Sequence, residues 1–248
     1  LVQMSEELDL IIPRGSNELV KSIQARAQVP VLGHADGICH VYLDADADRD
    51  KALEVVLDSK TDYPSVCNAL ETLLVDRDLD SKLLAKILED LSEAGVQIRA
   101  CSETMKRLEA HTQLKLKDAS EEDWQTEYLE LILSVKIVAG LDGAVEHINR
   151  YGSNHTDSIV TENRETAERF MDEVDSAGVF WNASTRFADG FRYGLGAEVG
   201  VSTCKTHARG PVGLEGMVIY KYKLYGSGQG AGSYNKGEKT FLHQPLES

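Results

Sequence analysis

The apolar positions of this chain come in blocks whose spacing switches repeatedly between continuous runs and a helical stripe. Leu10, Ile11 and Ile12 make a short strand that Pro13 ends, and "RGSNELVKSIQ" opens a helix with Ser16 as its N-cap. "VPVLGHADGICHVYLDADAD" reads as two short strands around a Gly-rich loop, followed by an acidic turn. "DRDKALEVVLDSK" is helical, with Ala52, Leu53, Val55 and Val56 on one side. "ETLLV" is a strand. "DSKLLAKILEDLSEAGV" is an amphipathic helix whose stripe is Leu83, Leu84, Ile87, Leu88 and Leu91, with Gly95 as its stop. "LELILSVKIVA" reads as a buried strand, then "GAVEHINRYG" as a helix. "DSIVTEN" is a strand, "RETAERFMDEVDSA" a helix and "GVFWN" a strand.

Strands alternating with helices of this length predict an α/β chain with a mostly parallel sheet and flanking helices. The regularity fails over 182–216, a stretch dense in Gly, Arg, Ser and Thr, where a long loop predicts function or mobility. "GLEGMVIYKYKLY" then predicts a short helix and a strand, and "GSGQGAGSYNKGEK" a flexible tail.

Composition narrows the class. The 248 residues suffice for one large or two smaller domains, and 42% apolar content is that of an ordinary globular protein. A net charge of −15 would be repelled by a phosphate backbone, which argues against a nucleic-acid partner. No apolar run reaches the ~20 residues of a membrane span. The chain lacks an initiator Met and a signal-peptide pattern, and its opening residues read as the approach to a strand inside a domain of a longer protein. Cys39, Cys67, Cys101 and Cys204 fall in no C-x-x-C or zinc-finger spacing, so a reducing compartment fits best.

Several constellations carry candidate chemistry. Cys67 lies where a helix has ended, Pro64 favours a turn, and a strand is about to begin, a place suited to presenting a thiol. Residue type alone weighs for a buried structural cysteine, and both readings stand. "YGLGAEVG" has G-x-G-x-x-x-G spacing after no convincing strand, so it is no dinucleotide fingerprint. "ASTRF" and "HARGPVG" put Arg186, His207 and Arg209 beside hydroxyls in the irregular region, which suits a carboxylate or phosphate as well as surface ion pairs. His34 and His40 flank a Gly-rich loop and read as structural. "DADADRD" lacks the Gly and the final Glu of a calcium loop and reads as a solvated helix N-terminus.

"YPSVCNALETLLV", "VPVLGHADGICHVYLDADAD" and "WNASTRFADGFRYGLGAEVGVST", continued by "HARGPVGLEG", resemble the signature segments of the γ-glutamyl phosphate reductases of the aldehyde dehydrogenase superfamily. "TEYLELILSVKIV" and "YGSNHTDSIVTEN" fall between them in the expected order, and the likeness spans about residues 8–225. The whole resembles the C-terminal part of plant-type bifunctional Δ1-pyrroline-5-carboxylate synthases, in which an amino-acid kinase precedes the reductase. The resemblance implies an aldehyde-dehydrogenase-like catalytic domain and a cytoplasmic or plastid enzyme of proline biosynthesis.

It further implies that Cys67 attacks L-glutamyl 5-phosphate, and that NADPH reduces the resulting thioester to L-glutamate 5-semialdehyde. Glu127 falls where the superfamily's cofactor-contacting Glu stands, although "EYLELIL" lacks the Gly-Pro that accompanies it. Arg186 with Ser184 and Thr185, then Arg209, His155 and Asn182, are the implied substrate contacts. Aldehyde-oxidising relatives carry a Glu in an E-L-G-G segment to activate hydrolytic water. "VLGHADG" has no carboxylate at that point, which weighs against that alternative, while a non-catalytic interaction module of the same fold is the other.

The implied organisation has the end of a cofactor-binding domain at 1–30, a catalytic domain at 31–209, a helix and oligomerisation strand at 210–225, and a flexible tail at 226–248. A homo-oligomer built through the 218–225 strand, no metal, and negligible reductase activity of these residues by themselves complete the expectations.

Overall fold

The structure is a computed structural model that describes residues 1–34 and 36–243. Residues Leu1–Met217 form one compact unit. Helix α1 (Asn17–Arg26) starts where Ser16 Oγ accepts the Leu19 N–H. The bridge Ile11↔Val31 lies on either side of it in sequence. The chain then alternates: β1 (Cys39–Leu43), α2 (Arg49–Thr61), β2 (Leu70–Asp76), α3 (Ser81–Glu93), β3 (Gln97–Ala100), α4 (Ser102–Arg107), β4 (Leu116–Asp118), β5 (Ile132–Val138), α5 (Gly140–Tyr151), β6 (Thr156–Val160), α6 (Arg164–Glu173) and β7 (Gly178–Trp181).

Strands β1 to β7 form one parallel sheet in the order β4-β3-β5-β2-β1-β6-β7. Its central strands are buried on both faces, as parallel strands covered by crossover helices must be. Side chains alternate between two cores. Val41, Leu43, Leu73 and Val75 face one cluster with Ala52, Val55 and Val56 of α2 and the whole predicted stripe of α3. Tyr42, Leu74 and Ile159 face the other, with Leu141, Ala144 and Ile148 of α5 and Ala167 and Phe170 of α6. This is the predicted mostly parallel α/β sheet with helices on both sides. The acidic turn behaves as a helix start, because Asp48 caps α2 by accepting the N–H groups of Asp50 and Lys51 at 3.1 and 3.0 Å.

Several short elements, α4 among them, escaped the sequence pattern. β3 and β4 have four and three residues, too few for a period to show, and β4 is an edge strand with Lys117 and Asp118 exposed. The irregular region holds a small antiparallel hairpin of β8 (Gly200–Ser202) and β9 (Gly210–Val212), equally short.

From Val218 onward the chain is a separate unit. The strand expected at 218–225 is not formed: these residues take no strand pairing, and Ile219 is 97% exposed. A strand exists only through a partner's N–H and C=O groups, so apolar β-branched and aromatic residues by themselves do not make one. Ala231–Asn235 is a five-residue helix, α7, with no buried residue, where composition predicted flexible chain. The last part of that expected tail, 244–248, lies outside the described residues.

Candidate active site

Cys67 stands on the loop between α2 and β2. After Pro64 the chain turns, the Ala69 N–H donates to Val66 O at 3.0 Å, and β2 begins at Leu70. The segment before β1 clamps this loop. A Cβ at Gly37 would lie 2.3 Å from the Cys67 carbonyl oxygen and 2.6 Å from its Cβ, so only glycine lets the two backbones pass this closely. The buried Cys39 thiol donates to that same carbonyl at 3.3 Å.

On the inner side, the chain reverses at Asn182, which is in the left-handed region at φ 52°. It then runs back along the sheet. Ala183 O accepts from Ser158 Oγ at 2.7 Å, and the Thr185 hydroxyl donates to Asn68 O at 2.7 Å, next to Cys67. Arg186 donates to the Asn68 side-chain oxygen and, at 3.1 Å, to Asp62.

The half-buried thiol lines a cleft of about 220 Å³ with Pro13, Arg14, Asn17, His34 and Glu127. Glu127 accepts from the Gly37 N–H at 2.9 Å and the Asn17 amide at 3.3 Å. Burial pushes the Cys67 thiol up to about 11, with Glu127 and Glu198 adding to the shift and Arg186 opposing it. The thiol is therefore protonated at neutral pH, and the site must draw off its proton for the sulfur to act.

Two imidazoles complete the cluster. His34, Cys67 and His155 each offer a donor atom within 4.8 Å of the other two. The His34 and His155 rings meet edge-to-face at 5.1 Å. Burial, then the neighbouring His34, depresses His155 to about 3, so it is neutral. Cys67 and His155 both precede the first residue of a strand, β2 and β6. The cleft thus lies at the amino edge of the sheet, opposite the edge where open α/β sheets ordinarily bind ligands. Its walls come from residues within 12–34, from Glu127 and Leu129, and from β8.

A fully buried ion pair supports the floor. Lys60 Nζ donates to Glu71 at 2.8 Å, and the other Glu71 oxygen accepts from the Leu129 N–H at 3.1 Å, two residues from Glu127. Burial raises Glu71 and lowers Lys60, each held back by the other's charge. In sequence this pair is an unremarkable lysine and glutamate eleven residues apart, and nothing signalled it.

Of the residues proposed from sequence, Cys67, Glu127 and His155 converge. Arg186 reaches Cys67 through Asn68 and opens on a different hollow, with Asp58, Phe187 and Arg192. Ser184 and Thr185 are buried and hydrogen-bonded to Ser59, so they hold the 182–187 segment in place. Arg209 is bound to Asp175 at 3.1 Å. Asn182 lies at the carboxyl edge, accepting from the Thr161 N–H and donating to its carbonyl. That is about 16 Å from the cleft edge by the rise of a five-residue strand. His34, read as structural, is the site residue missed from sequence, because a lone His before a Gly-rich loop carries no spacing signal. Cys101 is structural: its sulfur caps α4 by accepting the Thr104 N–H.

No family model matches the chain. Over 246 residues, 99% of its length, it is 54% identical to a gamma-glutamyl phosphate reductase of Acetivibrio thermocellus, covering 56% of that protein. It is 54% identical over 247 residues to gamma-glutamyl phosphate reductase 1 of Synechocystis sp., again covering 56%. Among solved structures it is similar to the gamma-glutamyl phosphate reductase of Thermotoga maritima, at 42% identity and a TM-score of 0.85. That match covers 92% of this chain and 55% of that one. A propionaldehyde dehydrogenase from Clostridium phytofermentans shares the fold at 16% identity and a TM-score of 0.60, covering 86% of this chain and 55% of that one. The fold is aldehyde-dehydrogenase-like, and the chain spans about half the length of the curated relatives it matches. Among the described residues, no helix is long and apolar enough to cross a membrane.

Proposed function

We propose that this chain is the cysteine-bearing half of a reductase that converts L-glutamyl 5-phosphate to L-glutamate 5-semialdehyde in proline biosynthesis. The observation that carries the reading is Cys67: of the four cysteines, it is the one that lines the cleft, in a chain similar over its whole length to gamma-glutamyl phosphate reductases. Cys67 Sγ attacks the acyl carbon, the bond from that carbon to the phosphate oxygen breaks, and phosphate leaves with the electron pair. The thiol proton passes to solvent or a nearby base, and the acyl group stays on sulfur as a thioester. When bound, NADPH supplies the hydride that reduces this thioester to the aldehyde.

Glu127 fits that cofactor's ribose, since its carboxylate is held at the cleft by Gly37 and Asn17 and keeps lone pairs free. The cleft has room for the nicotinamide end and not for a whole dinucleotide. Arg186 acts mainly from behind, its positive charge opposing the rise of the thiol pKa. Arg209, Ser184, Thr185 and Asn182 are positioning residues in this reading, and His155 borders the thiol. The 248 residues by themselves take up the acyl group but show negligible NADPH turnover. A kinase upstream, a cytoplasmic setting and a homo-oligomer assembled through residues 218–225 belong to the same reading, the last because exposed Ile219, Tyr222 and Leu224 suit a strand completed by a second copy.

The test is acylation of the chain itself. L-Glutamyl 5-phosphate, generated in situ by a glutamate kinase, should leave a hydroxylamine-labile glutamyl adduct on Cys67 by peptide mass spectrometry, absent in Cys67→Ser. A chain whose Cys67 reacts with iodoacetamide but takes no glutamyl group would refute the reading.

A further inference from the structure

The side chains around the thiol form a donor set that acyl transfer does not require. His34, Cys67 and His155 supply two imidazoles and one sulfur, with the three donor atoms within 4.8 Å of one another. Around a tetrahedral zinc, with bonds of about 2.0–2.3 Å, ligand atoms stand roughly 3.5 Å apart. Rotamer adjustments of about an ångström therefore close the set.

Hydrogen bonds to the Val201 carbonyl and the Thr156 hydroxyl already orient both rings. His34 Nδ1 faces the Val201 carbonyl at 3.1 Å, which accepts its proton and leaves the Nε2 lone pair free. His155 Nδ1 faces the Thr156 hydroxyl at 2.9 Å, while His155 Nε2, in a residue only 1% exposed, has no hydrogen-bond partner. An orphaned buried ring nitrogen costs free energy unless something fills its lone pair or takes its proton. Glu127, which lines the same cleft, favours a cation there.

We infer that His34, Cys67 and His155 form a binding site for a thiophilic divalent cation, Zn²⁺ in the first instance, that caps the Cys67 nucleophile. Two nitrogens and one sulfur select Zn²⁺ over Mg²⁺ or Ca²⁺, which take oxygen donors. On binding, the Cys67 S–H proton goes to solvent, one metal–sulfur and two metal–nitrogen bonds form, and water from the open cleft takes the fourth position. No electron changes hands. Occupancy silences the thiol reversibly, so the site is inhibitory. The cation site itself stands apart from the reductase reading, because binding is measured without substrate or cofactor, and only its inhibitory effect rests on that reading.

The experiment uses the whole chain with Zn²⁺ and Co²⁺ as probes. Competition with a chromophoric chelator should show one Zn²⁺ per chain. Co²⁺ should produce a thiolate-to-metal charge-transfer band together with the intense visible bands of a tetrahedral site. Cys67→Ser should abolish the charge-transfer band, and His34→Gln should weaken Zn²⁺ binding by tenfold or more. Cys39→Ser, which removes the sulfur 3.9 Å from His155 Nδ1 but keeps a donor for the Cys67 carbonyl, should leave both unchanged. Zn²⁺ should also slow iodoacetamide alkylation of Cys67 and not of Cys101. Absence of the charge-transfer band, its loss in Cys39→Ser, or full Zn²⁺ affinity in a folded His34→Gln would overturn the assignment. Glutamyl transfer to Cys67 in metal-free buffer would be unaffected by any of those results.

Discussion

Replacing Gly37 by alanine tests how the nucleophile loop is held. The added Cβ would stand 2.3 Å from the Cys67 carbonyl oxygen, 2.5 Å from its Cα and 2.6 Å from its Cβ. Contacts below 3.0 Å are not sustained by real side chains, so one backbone must retreat by roughly 1 Å. The atoms met belong to backbone and Cβ rather than to the end of a flexible side chain, so the strain is not relieved by a rotamer change. Overpacking of this kind costs about 1–3 kcal/mol. In a chain of this size that lowers Tm by roughly 2–12 °C. A nucleophile displaced by about 1 Å loses on the order of 10²-fold in rate. Glutamyl transfer to Cys67 should therefore fall about a hundredfold, with alkylation by small iodoacetamide affected less, since it makes little demand on orientation.

Thermal melts and adduct formation followed by intact mass spectrometry give both readouts. Gly143→Ala is the control: it lies inside α5, its nearest contact is 3.4 Å from the Val138 Cβ, and it should be neutral or stabilising by about 0.5–1 kcal/mol. A Gly37→Ala protein that melts within a degree of wild type and acylates at the wild-type rate would refute the claim that this close approach sets the loop.

Three further outcomes are expected. Lys60→Met strands the Glu71 charge in the core and should cost about 3–5 kcal/mol in urea unfolding, most of it recovered when Glu71→Met is added; equal losses in the single and double variants would count against the buried pair. His147, buried against Trp124, Tyr151 and His40, is depressed to about 2, first by burial and then by His40, Lys136 and Arg150. Its folded pKa lies below the unfolded one, so its stabilising contribution is complete above pH 6.5 and declines as pH falls toward 2, by up to about 1.4 kcal/mol per pH unit. His147→Phe should flatten the fall in Tm between pH 6.5 and 4, and an unchanged slope would contradict this. With the Cys67 thiol near 11, about one molecule in a thousand is thiolate at pH 8, so alkylation should still be accelerating at pH 10; a plateau already reached by pH 10 would show an ordinary or activated thiol and contradict this.

Local pattern determined much of this protein. The stripe Leu83, Leu84, Ile87, Leu88 and Leu91 repeats at helical spacing and is buried as a set, and the predominantly apolar residues of β5 announce an inner strand. Ser16 and Asp48 cap the helices they precede, because capping involves residues two or three apart in sequence. The motif around Cys67 pointed to the nucleophile, but residue type by itself weighed toward buried filler. Only tertiary structure decided the site's membership. His34 and His155, 121 positions apart, meet at the thiol because parallel strands β1, β2 and β6 bring their leading loops to one edge of the sheet. The same topology sends Asn182 to the opposite edge and turns Arg186 inward onto Asn68 and Asp62, although both share the irregular stretch that composition marked for function. The Lys60–Glu71 pair and the close backbone approach at Gly37 were equally out of reach of sequence, since a hydrophobic period records which face is buried and not which groups a fold brings together.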